Sequence, residues 1–157
     1  MANGDPTLAW RVVLDTNVAV SGLLSRQGAA HAILDLAVHH RERLQLGASE
    51  ENRDELLATL RAPRLASRIV ARGSTPEALY MLYTILTDPP IPTTLWRGQW
   101  WADPDDDAFL ATAFAFGAHL LVSRDGDLLN LKHFYECQIE SPVRALALCR
   151  TAILRSA

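Results

Sequence analysis

Arg11-Val12-Val13-Leu14-Asp15-Thr16-Asn17-Val18 constrains this chain more than any other stretch. A short run of aliphatic and β-branched side chains stops at an acid, a hydroxyl and an amide, and apolar residues resume at once. Val12, Val13 and Leu14 read as a strand covered on both faces, the pattern of a parallel sheet. Asp15 then stands at the carboxyl end of that strand, the edge at which open α/β sheets bind their ligands. A charge straight after a fully apolar strand is costly unless it is solvated, paired or bound to a metal. The simpler reading is that Asp15 or Thr16 caps the following helix. On this stretch alone both readings stand.

The remainder alternates strands with helices, which means an α/β fold with a mainly parallel sheet. After a strand at about 10–15, helices are expected near 17–25 and over Ala29 to His40, then a short strand from Arg43 to Gly47. Ser49 is an N-cap, with Asn52 at the N3 position where a capping box wants Glu or Gln. Pro63 opens a helix that ends at Gly73 and carries Arg64, Arg68 and Arg72 at i, i+4 and i+8, one basic face. Another helix runs from Ser74 to about Thr87. The Pro-rich insert from Asp88 to Asp103 is expected to hold a short strand at 91–95, and its Trp96, Trp100 and Trp101 either stack on unpaired bases or pack over the core.

Asp103-Pro104 reads as N-cap and first helical position, which puts Asp105, Asp106 and Asp107 in the first turn of a helix that is apolar almost all round. Gly117 ends it. His119 to Ser123 is a second buried strand, with Arg124-Asp125-Gly126-Asp127 at its carboxyl end. A loop or short helix over 128–134, an edge strand at Cys137 to Glu140 and a last helix from Ser141-Pro142 to about Arg150 complete the chain. The expected organisation is a frayed segment over 1–9, one domain over 10–150 and a tail over 151–157.

Three acidic clusters therefore converge by topology. Both buried strands end in acids on the same edge, and the helix leading into the second strand begins there with Asp105 to Asp107. Their repulsion is severe without a cation. Oxygen-only donors with no Cys or His beside them point to Mg²⁺ or Mn²⁺ rather than zinc. Such a cluster suits phosphodiester hydrolysis, in which the cation polarises a phosphate oxygen and acidifies a bound water. His31, His39, His40, His119 and His133 lie in no nucleophile motif, and there is no Gly-rich phosphate loop.

Composition narrows the partners. A net charge of −3 argues against a protein that coats nucleic acid through bulk charge. Fourteen of the 15 basic residues are Arg, the side chain suited to bidentate phosphate contacts, although a biased source genome explains this equally well. No apolar run reaches the roughly 18 residues of a membrane span, and residues 1–10 lack the basic and apolar regions of a signal peptide. Cys137 and Cys149 lie outside any metal-ligand spacing and read as reduced core thiols of a cytoplasmic protein.

Leu14-Asp15-Thr16-Asn17-Val18, Asp103-Pro104-Asp105-Asp106-Asp107-Ala108-Phe109-Leu110 and Leu121-Val122-Ser123-Arg124-Asp125-Gly126-Asp127-Leu128-Leu129, in that order, resemble a PIN domain over about residues 10–145. The spacing is similar to the bacterial branch of toxin components of toxin–antitoxin systems. The resemblance implies a three-layer fold, a mainly parallel central sheet flanked by helices. It also implies a Mg²⁺- or Mn²⁺-dependent ribonuclease, with RNA as substrate, an antitoxin protein as partner, pairing as a homodimer and no membrane association. The family's four acids fall on Asp15, on Glu55 (Glu51 and Asp54 being the alternatives on the same helix), on the 105–107 run with Asp107 taken because it directly precedes the buried stretch, and on Asp125. Asp15, Asp107 and Asp125 are the implied metal ligands. Asn17, Ser123, Asp106 and Asp127 are supporting residues, and Arg64, Arg68, Arg72 and Arg124 are candidates to bind RNA. The competing readings are an aspartate-nucleophile phosphatase, which wants Asp-x-Asp after strand one where this chain has Asp15 and Asn17, and an inactive PIN-like or receiver-like regulatory module.

Overall fold

The computed structural model describes residues 9–100 and 103–155. The expectations for residues 1–8, Trp101 and residues 156–157 lie outside these.

Five strands form one sheet in the order β2-β1-β3-β5-β4: β1 Trp10–Leu14, β2 Leu44–Gly47, β3 Leu120–Val122, β4 His133–Phe134 and β5 Cys137–Glu140. All pairings are parallel except that of β4 with β5. The short β4 hairpin therefore covers the outside of β5, which is not the edge strand that its sequence suggests. The apolar strands are covered on both faces, as the unbroken Val-Val-Leu and Leu-Leu-Val runs require. Val12, Leu14, Leu120 and Val122 point into one core with helices α1 (Thr16–Leu24), α2 (Ala29–His39), α3 (Glu50–Leu60), α5 (Pro76–Leu86) and α8 (Pro142–Arg155). Val13, Leu121 and Ile139 point into the other core, closed by α6 (Pro104–Phe116) and α7 (Gly126–Leu131). The result is three layers with the sheet in the middle.

Local sequence explains most element ends. Ser49 caps α3 in a reciprocal capping box, because the shorter Asn52 amide reaches back to the Ser49 N–H as a Glu would. Gly117 stops α6 in the left-handed conformation that glycine adopts freely. Gly47 ends β2 beneath Phe116, where a Cβ would stand 2.5 Å from the ring.

Three further expectations change. The helix after Pro63 is a 3₁₀ turn, Pro63–Leu65, followed by α4, Ala66–Ala71. The insert has no strand at 91–95 among the described residues; it crosses as turns, held at Ile91 by the carbonyl of Ala48. The last helix continues five residues past Arg150, to Arg155, because Ile153 still reaches the core. Among the described residues no helix is long and apolar enough to cross a membrane.

Candidate active site at the carboxyl edge of the sheet

The register of β1 and β3 builds the site. Leu14 lies opposite Val122, so the next residues, Asp15 and Ser123, emerge side by side. Ser123 is fully buried and works in both directions: its Oγ donates to Asp15 Oδ2 at 2.7 Å and accepts from the Asp125 N–H at 2.9 Å. Asp15 Oδ1 accepts from the Asn17 N–H at 3.0 Å and so caps α1. Asp125 caps α7 through the Asp127 N–H at 2.8 Å, and Asp103 caps α6 through the Asp105 N–H at 2.9 Å. The capping reading and the site reading of these acids thus coincide. Caps hold the carboxylates in place, and the N-termini of α1, α6 and α7 bring positive dipole ends to the acids.

Electrostatics marks which acids face one another. Asp106 is buried, and burial together with the carboxylates of Asp125, Asp103, Asp15 and Asp127 pushes its pKa up to about 6. Burial raises Asp15 above the ordinary carboxylate range. Its bonds to Ser123 and Asn17 oppose the rise, Asp125 adds to it and Arg124 draws it down. Glu55, half-buried on α3, is also raised by burial, with Asp105, Asp15 and Glu51 adding to the effect. The Thr16 hydroxyl opposes that rise and so lies toward Glu55, yet this buried oxygen makes no hydrogen bond of good geometry. Asp15 thus feels Asp125 and acts on both Asp106 and Glu55, with Asp105 beside Glu55. Asn17 serves through its backbone N–H, and Asp127 through its N–H and its charge.

Asp107 does not join them. It is 1% exposed and turned into the insert, where it accepts hydrogen bonds from Arg97 Nη1, from the Gly98 N–H at 2.7 Å and from the Trp100 N–H at 3.2 Å. With these donors filling its oxygens, Asp107 anchors the insert, whereas its neighbour Asp106 lies in the field of Asp125, Asp103 and Asp15. One residue along a helix is a rotation of about 100°, which separates the two directions.

Arg97 is the residue that sequence reasoning missed. It also grips Glu51 with two bonds of 2.6 and 2.7 Å and donates to the Pro104 carbonyl at 3.2 Å, tying the start of α3 to the start of α6. This leaves Glu55 rather than Glu51 free in the centre. Trp96 and Trp100 take the packing role: both rings lie against Phe114, at 4.7 and 5.2 Å between centroids.

The basic candidates divide. Arg64 and Arg68 are exposed, but Arg72 donates to the Leu23 carbonyl at 3.2 Å and is partly buried, so the three are not one free face. Arg124 is exposed beside Asp125 and close enough to act on Asp15.

The side chains gathered here offer oxygen donors alone, the kind a hard divalent cation takes. Among the described residues no three acidic, imidazole or thiol side chains are oriented to enclose an ion as they stand.

The fold is α/β, with acids gathered at the carboxyl edge of a mainly parallel sheet. The PIN domain family model matches residues 11–127, three quarters of the chain, and the chain belongs to the PIN-domain family. Members of this family are generally nucleases and typically use divalent metals. Neither curated proteins nor solved structures give a significant match.

Proposed function

We propose that this chain is a Mg²⁺- or Mn²⁺-dependent endoribonuclease that hydrolyses RNA phosphodiester bonds at the carboxyl edge of its sheet. The carrying observation is the buried Asp106, raised to about 6 in the field of Asp125 and Asp15. Three helices deliver acids to one edge at the cost of mutual repulsion, and that cost has a use if a cation is held there. Asp15, Asp106 and Asp125 would hold the ion. When bound, it supplies Lewis-acid polarisation of the phosphate and a water of lowered pKa. Ser123 keeps Asp15 and the Asp125 loop in register. Glu55, half-buried beside these acids, is the candidate to take a proton from the attacking water. Arg124 is placed to pair with a substrate phosphate.

The finer reading is a cytoplasmic toxin component, paired as a homodimer and held inactive by an antitoxin protein. It rests on the order and spacing of the three motifs. Met81, Leu82 and Ile85, 60, 43 and 51% exposed on α5, give an apolar face that suits a protein partner.

Cleavage of a mixed single-stranded RNA tests the proposal. Cutting is expected with Mn²⁺ and not with EDTA, and Asp15→Asn, Asp106→Asn and Asp125→Asn should each reduce it at least about 100-fold while remaining folded. Asp107→Asn should keep metal-dependent cutting per folded molecule. Wild-type protein that leaves RNA intact, or acid variants that cut normally, would remove the nuclease assignment. Growth arrest on expression, abolished by Asp15→Asn, checks the toxin reading.

A further inference from the structure

At the opposite end of the sheet from the acids lies a half-open cleft of about 370 Å³, within the size range of small-ligand sites. The amino ends of β1, β3 and β5 form its floor through Arg11, His119 and Cys137, and the end of α6 and the β4–β5 turn form its walls. Its lining divides into an aromatic part and a polar part. Phe114, Phe134 and Tyr135 supply three rings that meet edge to face, at 5.0 Å between Phe114 and Tyr135 and 5.0 Å between Phe134 and Tyr135. Tyr135 is 67% exposed and sits at a φ of 55°, an unusual conformation for a bulky side chain that turns it out of the hairpin. Its ring leans on Phe114 and Phe134 yet leaves most of its surface open beside the cleft.

The polar part is prearranged. Arg11 Nε donates to the Gly117 carbonyl at 2.9 Å, which orients the guanidinium, and Arg11 makes no ion pair among the described residues. His119 Nδ1 accepts from the Arg11 N–H at 2.9 Å, so the ring proton of the neutral form is on Nε2, available as a donor. Trp10 stacks on that imidazole with ring centroids 5.7 Å apart and holds it in place. Glu136 adds one carboxylate acceptor at the rim.

We propose that this cleft binds a nucleotide unit, with its base against Tyr135 and Phe114, its phosphate on Arg11, and His119 and Glu136 as donor and acceptor for polar edges. Exposed aromatic rings alone would accept any aromatic molecule; the oriented guanidinium, with no ion pair among the described residues, selects one that carries an anion. The same chemistry arises in a free mononucleotide and in one unit of an RNA strand.

Calorimetric titration in EDTA, where no metal-dependent cutting occurs, tests the site with AMP, CMP, GMP, UMP, adenosine, inorganic phosphate and a 12-nucleotide RNA. Saturable one-site binding of at least one mononucleotide is expected, with adenosine and phosphate each weaker by about tenfold. Arg11→Gln and Tyr135→Asn should each weaken it about tenfold or more, and Asp125→Asn should leave it unchanged. Asn tolerates the positive φ at position 135, so that variant stands even if Arg11→Gln fails to fold. A 12-nucleotide RNA that binds more tightly than the mononucleotide and is weakened by Tyr135→Asn assigns the cleft to an RNA strand. A mononucleotide that the RNA does not displace assigns it to a free nucleotide. Absence of saturable binding at millimolar nucleotide, or binding that survives both variants, overturns the proposal. The readout needs no cleavage, so loss of the nuclease reading would leave this result standing.

Discussion

Asp106 and Asp107 are neighbours with opposite environments, and each implies a different experiment. The pKa of Asp106 is about 6 in the folded chain, above its ordinary 3.8, so the folded state holds the proton more tightly than the unfolded state does. Its contribution to stability is complete below about pH 4 and is lost as the pH rises through about 6. Burial and the other acids raise Asp15 and Glu55 in the same direction. In EDTA the protein should therefore be less stable at pH 7.5 than at pH 4.5 as far as these groups are concerned. Asp106→Asn should raise stability at pH 7.5 by roughly 1–3 kcal/mol and change little at pH 4.5, read from urea midpoints. Asp107→Asn should do the reverse of a gain. It removes the charge opposite Arg97 and weakens acceptors for two backbone N–H groups, a loss of roughly 1–3 kcal/mol by chemical denaturation. Arg97 keeps its pair with Glu51, which holds the loss at that level.

At the scale of elements, the site depends on two polar clasps between pieces of backbone. Ser123 joins β1 to the β3–α7 turn. Ser123→Ala deletes a hydroxyl that both donates and accepts, leaving the Asp125 N–H without its partner and Asp15 free to turn. Cleavage should fall about tenfold or more while the unfolding midpoint moves by only about 1 kcal/mol. Asn52 joins α3 to α6, because its Oδ1 serves the Ser49 N–H and also accepts from Thr112 Oγ at 2.9 Å. Both clasps involve residues whose types were readable in the chain. The helix caps at Asp15, Ser49 and Asp103 were equally legible, since a cap needs only a side chain and the N–H groups two or three residues ahead; the cap at Asp125 emerged with α7. The insert was not. Its Pro residues and Trp residues suggest a strand or a stacking surface until Arg97, ten residues from Asp107, closes it against α6.

For the whole molecule, the acidic edge should make stability depend on divalent metal. At about 100 times its dissociation constant, Mg²⁺ or Mn²⁺ stabilises a folded state that alone binds it by about 2.7 kcal/mol, which is roughly 5–10 °C in a chain of this size. A melting temperature that rises with Mn²⁺ in the wild type and stays level in Asp15→Asn is the expected result. The sequence by itself determined the layers and the direction of the sheet, because Val12 to Leu14 and Leu120 to Val122 are apolar at every position and only a sheet covered on both faces accommodates that. It also determined which edge carries the acids, since parallel strands end together. Only the tertiary structure gave Asp106 and Asp107 their different surroundings. Both lie in one helical turn and both are acids. The difference lies in where Arg97 and the Gly98 and Trp100 amides come to rest, contacts made across the fold that no local pattern encodes.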